Sequence, residues 1–291
     1  MSIPTYKDIL EHKKLTEEQR KADLEKVRDY PATDNRRCFY GNPFIYHYQL
    51  DNLCRVATSG RTKHTSLYSV MEEGAEGGAT KLWAETEKRG RTGTPACRMF
   101  ECHRVNRGTV AIFKATTAKY IYQKFGATSV LDPTAGWGGR MLGAWGLGIP
   151  YVGFDTNTKM IPAYEAMMEE MASLDGPCDL SLRFEDSLTA DWSDIHYDFV
   201  LTSPPYINLE LYEGMTPFES DRAYYEKFLV PLIQKCINNC KKGGWVCFNI
   251  SPKMYESLMA TGFRKPDEEH DLLQQKRAGI DKQDKIYCWR C

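Results

Sequence analysis

"VLDPTAGWGGRMLGAWGLG" (Val130–Gly148) is the stretch whose reading decides the fold. An apolar run ends at Asp132, a turn follows, and Gly136, Gly138 and Gly139 lead into a second apolar run that closes on glycine. This is the pattern of a strand, a glycine turn and a helix. The glycines let the backbone come close to a ligand just before the helix begins. Their spacing is not G-x-G-x-x-G, and no Gly-Lys-Ser/Thr follows, so a phosphate-cradling loop is unsupported. A turn with a carboxylate in place of a lysine favours a ligand with positive or hydrogen-bond-donating groups.

Downstream, strands and helices alternate. "PYVGFDT" reads as a second strand, "KMIPAYEAMMEEMAS" as a helix, "DLSLRFED" as a third strand and "YDFVLTS" as a fourth. A long helix is expected over Asp221–Cys240, then a fifth strand "WVCFNI", a further helix, a strand near Gly262–Lys265 and a closing strand "KIYCWRC". Alternation of this kind predicts an α/β fold with a doubly wound parallel sheet, whose ligands bind beyond the carboxyl ends of the strands. Acids stand at three such ends: Asp132, then Asp155, placed to grip ribose hydroxyls, and Asp186, placed to accept from a purine amino group. Carboxylates also cap helices at these positions.

The fourth strand runs into Ser203-Pro204-Pro205-Tyr206. Proline gives a strand no amide donor, and the second proline holds the first away from helical geometry, so the corner is stiff and extended. Its carbonyls and the Ser203 hydroxyl suit a partner donor such as an exocyclic amino group, and Tyr206 offers a flat face for stacking.

"DPTAGWGGR" and "TSPPY" together resemble the S-adenosylmethionine (SAM)-dependent amino-methyltransferases of DNA, which methylate adenine N6 or cytosine N4. The likeness covers about 109–291. It implies a Rossmann-like, seven-stranded, mostly parallel sheet with an N-terminal extension. It also implies that Asp132, Gly136 and Gly138 hold the methionine end of SAM, with Pro133 and Thr134 in the same turn, Asp155 on the ribose and Asp186 on the adenine. "TVAIFKATTAKYIYQKF" resembles the family's helix that completes the methionine pocket, which places Phe113 and Lys114 there. Ser203, Pro204, Pro205 and Tyr206 become the catalytic corner, acting on a base flipped from the duplex. Serine in the first slot leans toward cytosine N4, with adenine N6, an RNA base and an inactive SAM-fold subunit as alternatives. Pro177-Cys178 is not read as the thiolate nucleophile of C5-methyltransferases, because it precedes the third strand.

The sequence departs from that family in carrying little beyond the corner except sheet-completing elements, so no separate recognition domain follows it. Target reading then falls to 34–108 and to the loop Ile207–Ser220. In 34–108, twelve Lys/Arg stand against eight Asp/Glu, and periodicity is poor. Loops and short elements are expected there, with a mobile loop at Glu72–Thr80. Arg36, Arg37, Arg61, Lys63, Arg89 and Arg91 are candidates to meet phosphates, and Tyr40, Phe44, Tyr46 and Tyr48 to stack or wedge. Residues 1–33 form a charged helical segment with a capping box at Thr16-x-x-Gln19.

The composition, 42% hydrophobic and 26% charged with a net charge of −1, is that of a soluble protein and announces no partner by charge alone. No run suits a membrane span or signal peptide, so an intracellular setting is expected. The ten cysteines are expected as free thiols. Neither Cys288-x-x-Cys291 nor Cys97, Cys102 and His103 makes a four-ligand zinc set, and no metal is expected.

Overall fold

The computed structural model describes residues 2–35, 37–58, 65–107, 110–175, 178–207, 210–211, 218–272 and 284–291. Arg36, Arg61, Lys63, Pro177 and most of the Ile207–Ser220 loop lie outside the described residues.

Seven strands form one sheet: β1 (Val130–Asp132), β2 (Tyr151–Phe154), β3 (Leu180–Arg183), β4 (Phe199–Thr202), β5 (Trp245–Ile250), β6 (Glu268–Asp271) and β7 (Lys285–Arg290). Their order is β3-β2-β1-β4-β5-β7-β6. The first five are parallel, while β7 runs antiparallel to β5 and β6 antiparallel to β7. This is the expected Rossmann-like, seven-stranded, mostly parallel sheet, with a helical extension at the N-terminus. β6 forms three residues beyond the expected Gly262–Lys265, after the chain has turned at Gly262 in the left-handed region.

Strand periodicity builds both faces. Val130, Phe199, Leu201, Cys247, Ile286 and Cys288 enter one buried cluster. Their neighbours Leu131, Val200, Val246, Phe248, Tyr287 and Trp289 enter the other. The helices α7 (Ala115–Phe125), α8 (Gly139–Trp145), α9 (Ile161–Asp175) and α12 (Pro252–Ala260) accompany the sheet. The helix expected over Asp221–Cys240 is interrupted: α10 (Asp221–Tyr224) passes through a π-turn at Tyr225–Leu229 into α11 (Val230–Asn239). Pro231 explains the widened turn, since its ring would collide with the carbonyl four residues back in a regular helix.

The first hundred residues correct the sequence expectation. Residues 34–108 are not loops but mostly helix: α3 (Asn42–Arg55), α4 (Leu67–Glu72), α5 (Gly78–Arg89) and α6 (Pro95–Arg107), following α1 (Tyr6–Glu11) and α2 (Glu17–Asp29). Glu72–Thr80 is no loop either, because Ala75–Gly77 is a 3-10 turn that leads directly into α5. The Thr16–Gln19 capping box forms as expected. Tyr6, Ile9, Leu50, Leu67, Val70, Leu82, Met99 and Phe100 give the extension its own core.

The extension is joined firmly to the sheet domain. The Lys119 ammonium on α7 donates to the carbonyls of Val27 and Arg28 at the end of α2. Arg20 and Tyr48 both donate to Glu170 on α9. The buried Asp23 carboxylate accepts from the Gly41 and Phe44 amides at the start of α3. No helix among the described residues is long and apolar enough to cross a membrane.

Candidate functional site

The strand order reverses between β1 and β4, and a cleft of about 290 Å³ opens beyond their carboxyl ends. Four successive strand ends supply its walls. Pro133, Thr134, Gly136 and Trp137 come from β1; Phe154, Asp155, Thr156, Asn157 and Met160 from β2; Glu185, Asp186 and Ser187 from β3; Ser203 and Pro205 from β4. Phe218 and Phe228 close the side toward the π-turn.

Asp132 does not face this cleft. Its side chain is wholly buried and accepts from Arg140 Nε at 2.6 Å, the Tyr151 hydroxyl at 2.8 Å and the Thr202 hydroxyl at 2.8 Å. Arg140 also donates to the Thr134 carbonyl. The acid therefore organises the turn from behind, by ion pair and hydrogen bonds, instead of touching a ligand in the cleft. The glycines divide the remaining work. Gly136 (φ 65°) lines the cleft; Gly138 (φ 90°) stands outside it and turns the chain into α8. At Gly139 a Cβ would lie 1.8 Å from the Phe113 carbonyl oxygen.

Phe113 and Lys114 thus sit behind the turn and outside the lining. The Phe113 ring lies 5.3 Å from the Arg140 guanidinium, and the buried Lys114 ammonium lies 4.3 Å from the Phe39 ring. Burial pushes the Lys114 ammonium below its usual range.

Asp155 meets the cleft with both oxygens. Oδ2 accepts from the Gly136 amide at 3.1 Å and Oδ1 from the Asn157 amide at 2.9 Å, which ties β2 to the glycine turn. Burial raises its pKa to about 6 against the opposing pull of those two amides. Asp186 is exposed on the far wall and caps its own turn, accepting from the Leu188 amide at 2.9 Å. Lys235 on α11 holds that segment by donating to the Ser187, Leu188 and Ala190 carbonyls.

At the proline corner the acceptors are partly used inside the protein. The Ser203 carbonyl lies 3.1 Å from the Thr134 hydroxyl, and the Pro205 carbonyl accepts from the Tyr224 hydroxyl at 2.9 Å. Among the described residues no donor reaches the carbonyl of Pro204, whose side chain is buried. The Ser203 hydroxyl accepts from Asn249 Nδ2 at 3.2 Å. Tyr206 is not part of the lining; its phenol donates to Asp284 at 2.9 Å. Aromatic surface comes instead from Phe218 and Phe228, which pack on the buried ring of Tyr224 with ring centroids 5.1–5.7 Å apart. Sequence reasoning missed Phe218, Phe228 and Asn249. The spacing of Tyr224 and Phe228, four apart on a helix, was a usable signal, as was a lone asparagine in "WVCFNI".

The expected phosphate contacts fare unevenly. Arg37 and Arg91 are exposed, while Arg89 donates to Asn106. Phe44 is fully buried, Tyr46 and Tyr48 are half-buried, and only Tyr40 of the four aromatics is exposed. All ten cysteines are free thiols. Among the described residues no three His, Cys, Asp or Glu side chains are grouped to hold a metal ion.

No family model matches the chain, and no curated protein matches it in sequence. Among solved structures, an rRNA methylase from Streptococcus thermophilus is 9% identical with a TM-score of 0.42, over 62% of this chain and 98% of that one. TrmN from Thermus thermophilus is 15% identical with a TM-score of 0.42, over 68% and 54%. An RNA methyltransferase from Salinibacter ruber, in complex with S-adenosyl-L-homocysteine, is 17% identical with a TM-score of 0.38, over 62% and 93%.

Proposed function

We propose that this chain is a SAM-dependent methyltransferase that methylates an exocyclic amino nitrogen of adenine or cytosine in RNA. The observation that carries the proposal is the placement of Ser203 and Pro205 on the same cleft as Asp155 and Gly136. One end of that cleft suits a nucleoside cofactor and the other suits an amine.

The residues present fit SAM. Asp155 has a lone pair left on each oxygen for a vicinal diol, Phe154, Met160 and Trp137 offer apolar surface to an adenine, and Asp186 stands where it would accept from the adenine amino group. Bound there, SAM supplies an electrophilic methyl: the nitrogen lone pair forms the N–C bond as the C–S pair returns to sulfur, leaving S-adenosylhomocysteine. The Ser203 hydroxyl on the lining and the carbonyl of Pro204, which is buried just behind the lining, would accept hydrogen bonds from the two amine N–H groups and favour a pyramidal nitrogen whose lone pair leaves conjugation with the ring. The surplus proton is acidic once the methyl is attached and passes to water.

RNA takes precedence over the duplex DNA of the first expectation for a reason internal to the fold. The region expected to read a duplex is instead helical, with Phe44 in the core and Arg98 and Arg107 paired to Glu87, Glu76 and Glu85. An unpaired base needs no such apparatus, because it is already out of the stack.

The test is transfer of labelled methyl from SAM to RNA, single-stranded DNA and duplex DNA, with nucleoside separation. N6-methyladenosine or N4-methylcytidine is expected. Label confined to DNA would overturn the polymer, and label on a ring nitrogen or carbon would overturn the amine.

A further inference from the structure

β5 is apolar at every position but one. Asn249 is 4% exposed, in a strand of Trp, Val, Cys, Phe and Ile. Its Nδ2 donates to Ser203 Oγ at 3.2 Å, and its Oδ1 is buried with no partner among the described residues. Leaving a buried carbonyl unbonded is destabilising, and a leucine of similar size would avoid that penalty. Turning the amide over would instead strand an N–H donor, the rarer defect in proteins. An asparagine kept here at a cost to stability points to a use at the site.

Its partner shows what that use is. A serine hydroxyl has one proton and two lone pairs. Asn249 occupies one lone pair and offers Ser203 no acceptor in this orientation, so the hydroxyl faces the cleft with one lone pair and its proton. Tyr224 has meanwhile satisfied the Pro205 carbonyl, which leaves Pro204 as the other acceptor. On the proposed function, one amine proton goes to Pro204 and the other to the Ser203 lone pair, and the Ser203 proton meets the ring nitrogen beside the amine. Adenine and cytosine present an amine next to an accepting ring nitrogen on that edge. On its base-pairing edge guanine presents an amine next to an N–H, which would oppose the Ser203 proton; its bare N3 lies on the sugar edge.

We infer that Asn249 is a positioning residue that fixes the hydrogen-bond polarity of Ser203 and so selects an amine whose neighbour on the base-pairing edge is a bare ring nitrogen, as in adenine and cytosine and not in guanine. The inference rests on the proposed function for its substrate but not for the role of Asn249 itself.

Two variants test it, Asn249→Leu and Asn249→Asp, by thermal denaturation, SAM calorimetry and steady-state methyl transfer to RNA. Asn249→Leu is expected to keep or raise Tm, to hold the SAM dissociation constant within about twofold, and to lower kcat about tenfold with little change in KM. Asn249→Asp, an acceptor only, draws the Ser203 proton away from the cleft and is expected to lose at least as much. Wild-type label in guanosine, or full activity in Asn249→Asp, would overturn the inference. A wild type that methylates no polynucleotide would count against the proposed function, yet Tm would still decide the role of Asn249. A fall of more than about 5 °C in Asn249→Leu would mark a structural residue and overturn the inference.

Discussion

Asp132 and Arg140 form an ion pair closed off from solvent, 2.6 Å between Oδ2 and Nε, at the base of the glycine turn. The acid expected to grip the cofactor is thus the fastening of the loop that lines the cleft. Taking either partner away leaves an uncompensated charge in the core, at a cost of about 3–5 kcal/mol. Asp132→Ala and Arg140→Met are each expected to lose that much in urea unfolding. Under conditions where Asp132→Ala is still folded, its SAM affinity should fall less than that of Asp155→Ala.

Gly139 leaves no room for a side chain. Its φ is not in the left-handed region, so the constraint is contact alone: a Cβ would meet the Phe113 carbonyl at 1.8 Å. Gly139→Ala must push the segment before α7 away from α8, and a loss of several degrees in Tm is expected. Gly148→Ala, with no atom near its Cβ but φ at 66°, should cost about 1 kcal/mol through backbone strain. Denaturation of the pair separates the two causes.

Asp155 should make cofactor binding pH-dependent. Its pKa stands near 6 instead of the ordinary 3.8, and a diol donates to the charged form. SAM affinity is therefore expected to be flat above about pH 7 and to fall toward tenfold per unit below pH 6. The stability contribution runs the other way. Between pH 6 and 4 the folded chain holds a proton at Asp155 that the unfolded chain releases, so this group favours folding more as the pH drops. Calorimetric titration from pH 5 to 8 then distinguishes weakened binding from unfolding. Asp155→Asn should flatten the curve.

The parallel strands and β7 were legible because each is short, carries apolar residues and is cut off by a turn residue; β6, Glu-Glu-His-Asp, was not placed correctly. The extension was not legible. Gly74, Gly77, Gly78, Gly90 and Gly93 interrupt any 3.6-residue pattern, and four helices hide behind that punctuation, packed into a core of their own. At the site, the residues that stand at strand ends were found, but the placement of Asp132 and Tyr206 was not. Asp132 read as a ligand because Arg140, eight residues on, reads as one more helix residue. Tyr206 read as the stacking face because its neighbours are the prolines, while Asp284, its partner, lies 78 residues away. Composition marks which residues are unusual; only long-range pairing says what occupies them.

Tyr224 shows this at the proline corner and gives the last prediction. Its hydroxyl donates to the Pro205 carbonyl while its ring packs against Phe218 and Phe228, and it stands one residue before the π-turn. The bond fixes the tilt of the second proline, and so the direction in which the Pro204 carbonyl points, from nineteen residues away. Tyr224→Phe keeps the ring and the packing and removes only the donor. A neutral hydrogen bond contributes about 0.5–1.5 kcal/mol, so a small drop in Tm is expected. The unpaired Pro205 carbonyl then competes with Pro204 for the substrate amine and holds it at the wrong distance from the methyl. Misplacement by about an ångström costs on the order of a hundredfold in rate. Methyl transfer by Tyr224→Phe should therefore fall in kcat by ten- to a hundredfold while SAM binds as before. A loss confined to KM would mean that Tyr224 shapes only the entrance for the base, and that the corner keeps its geometry without it.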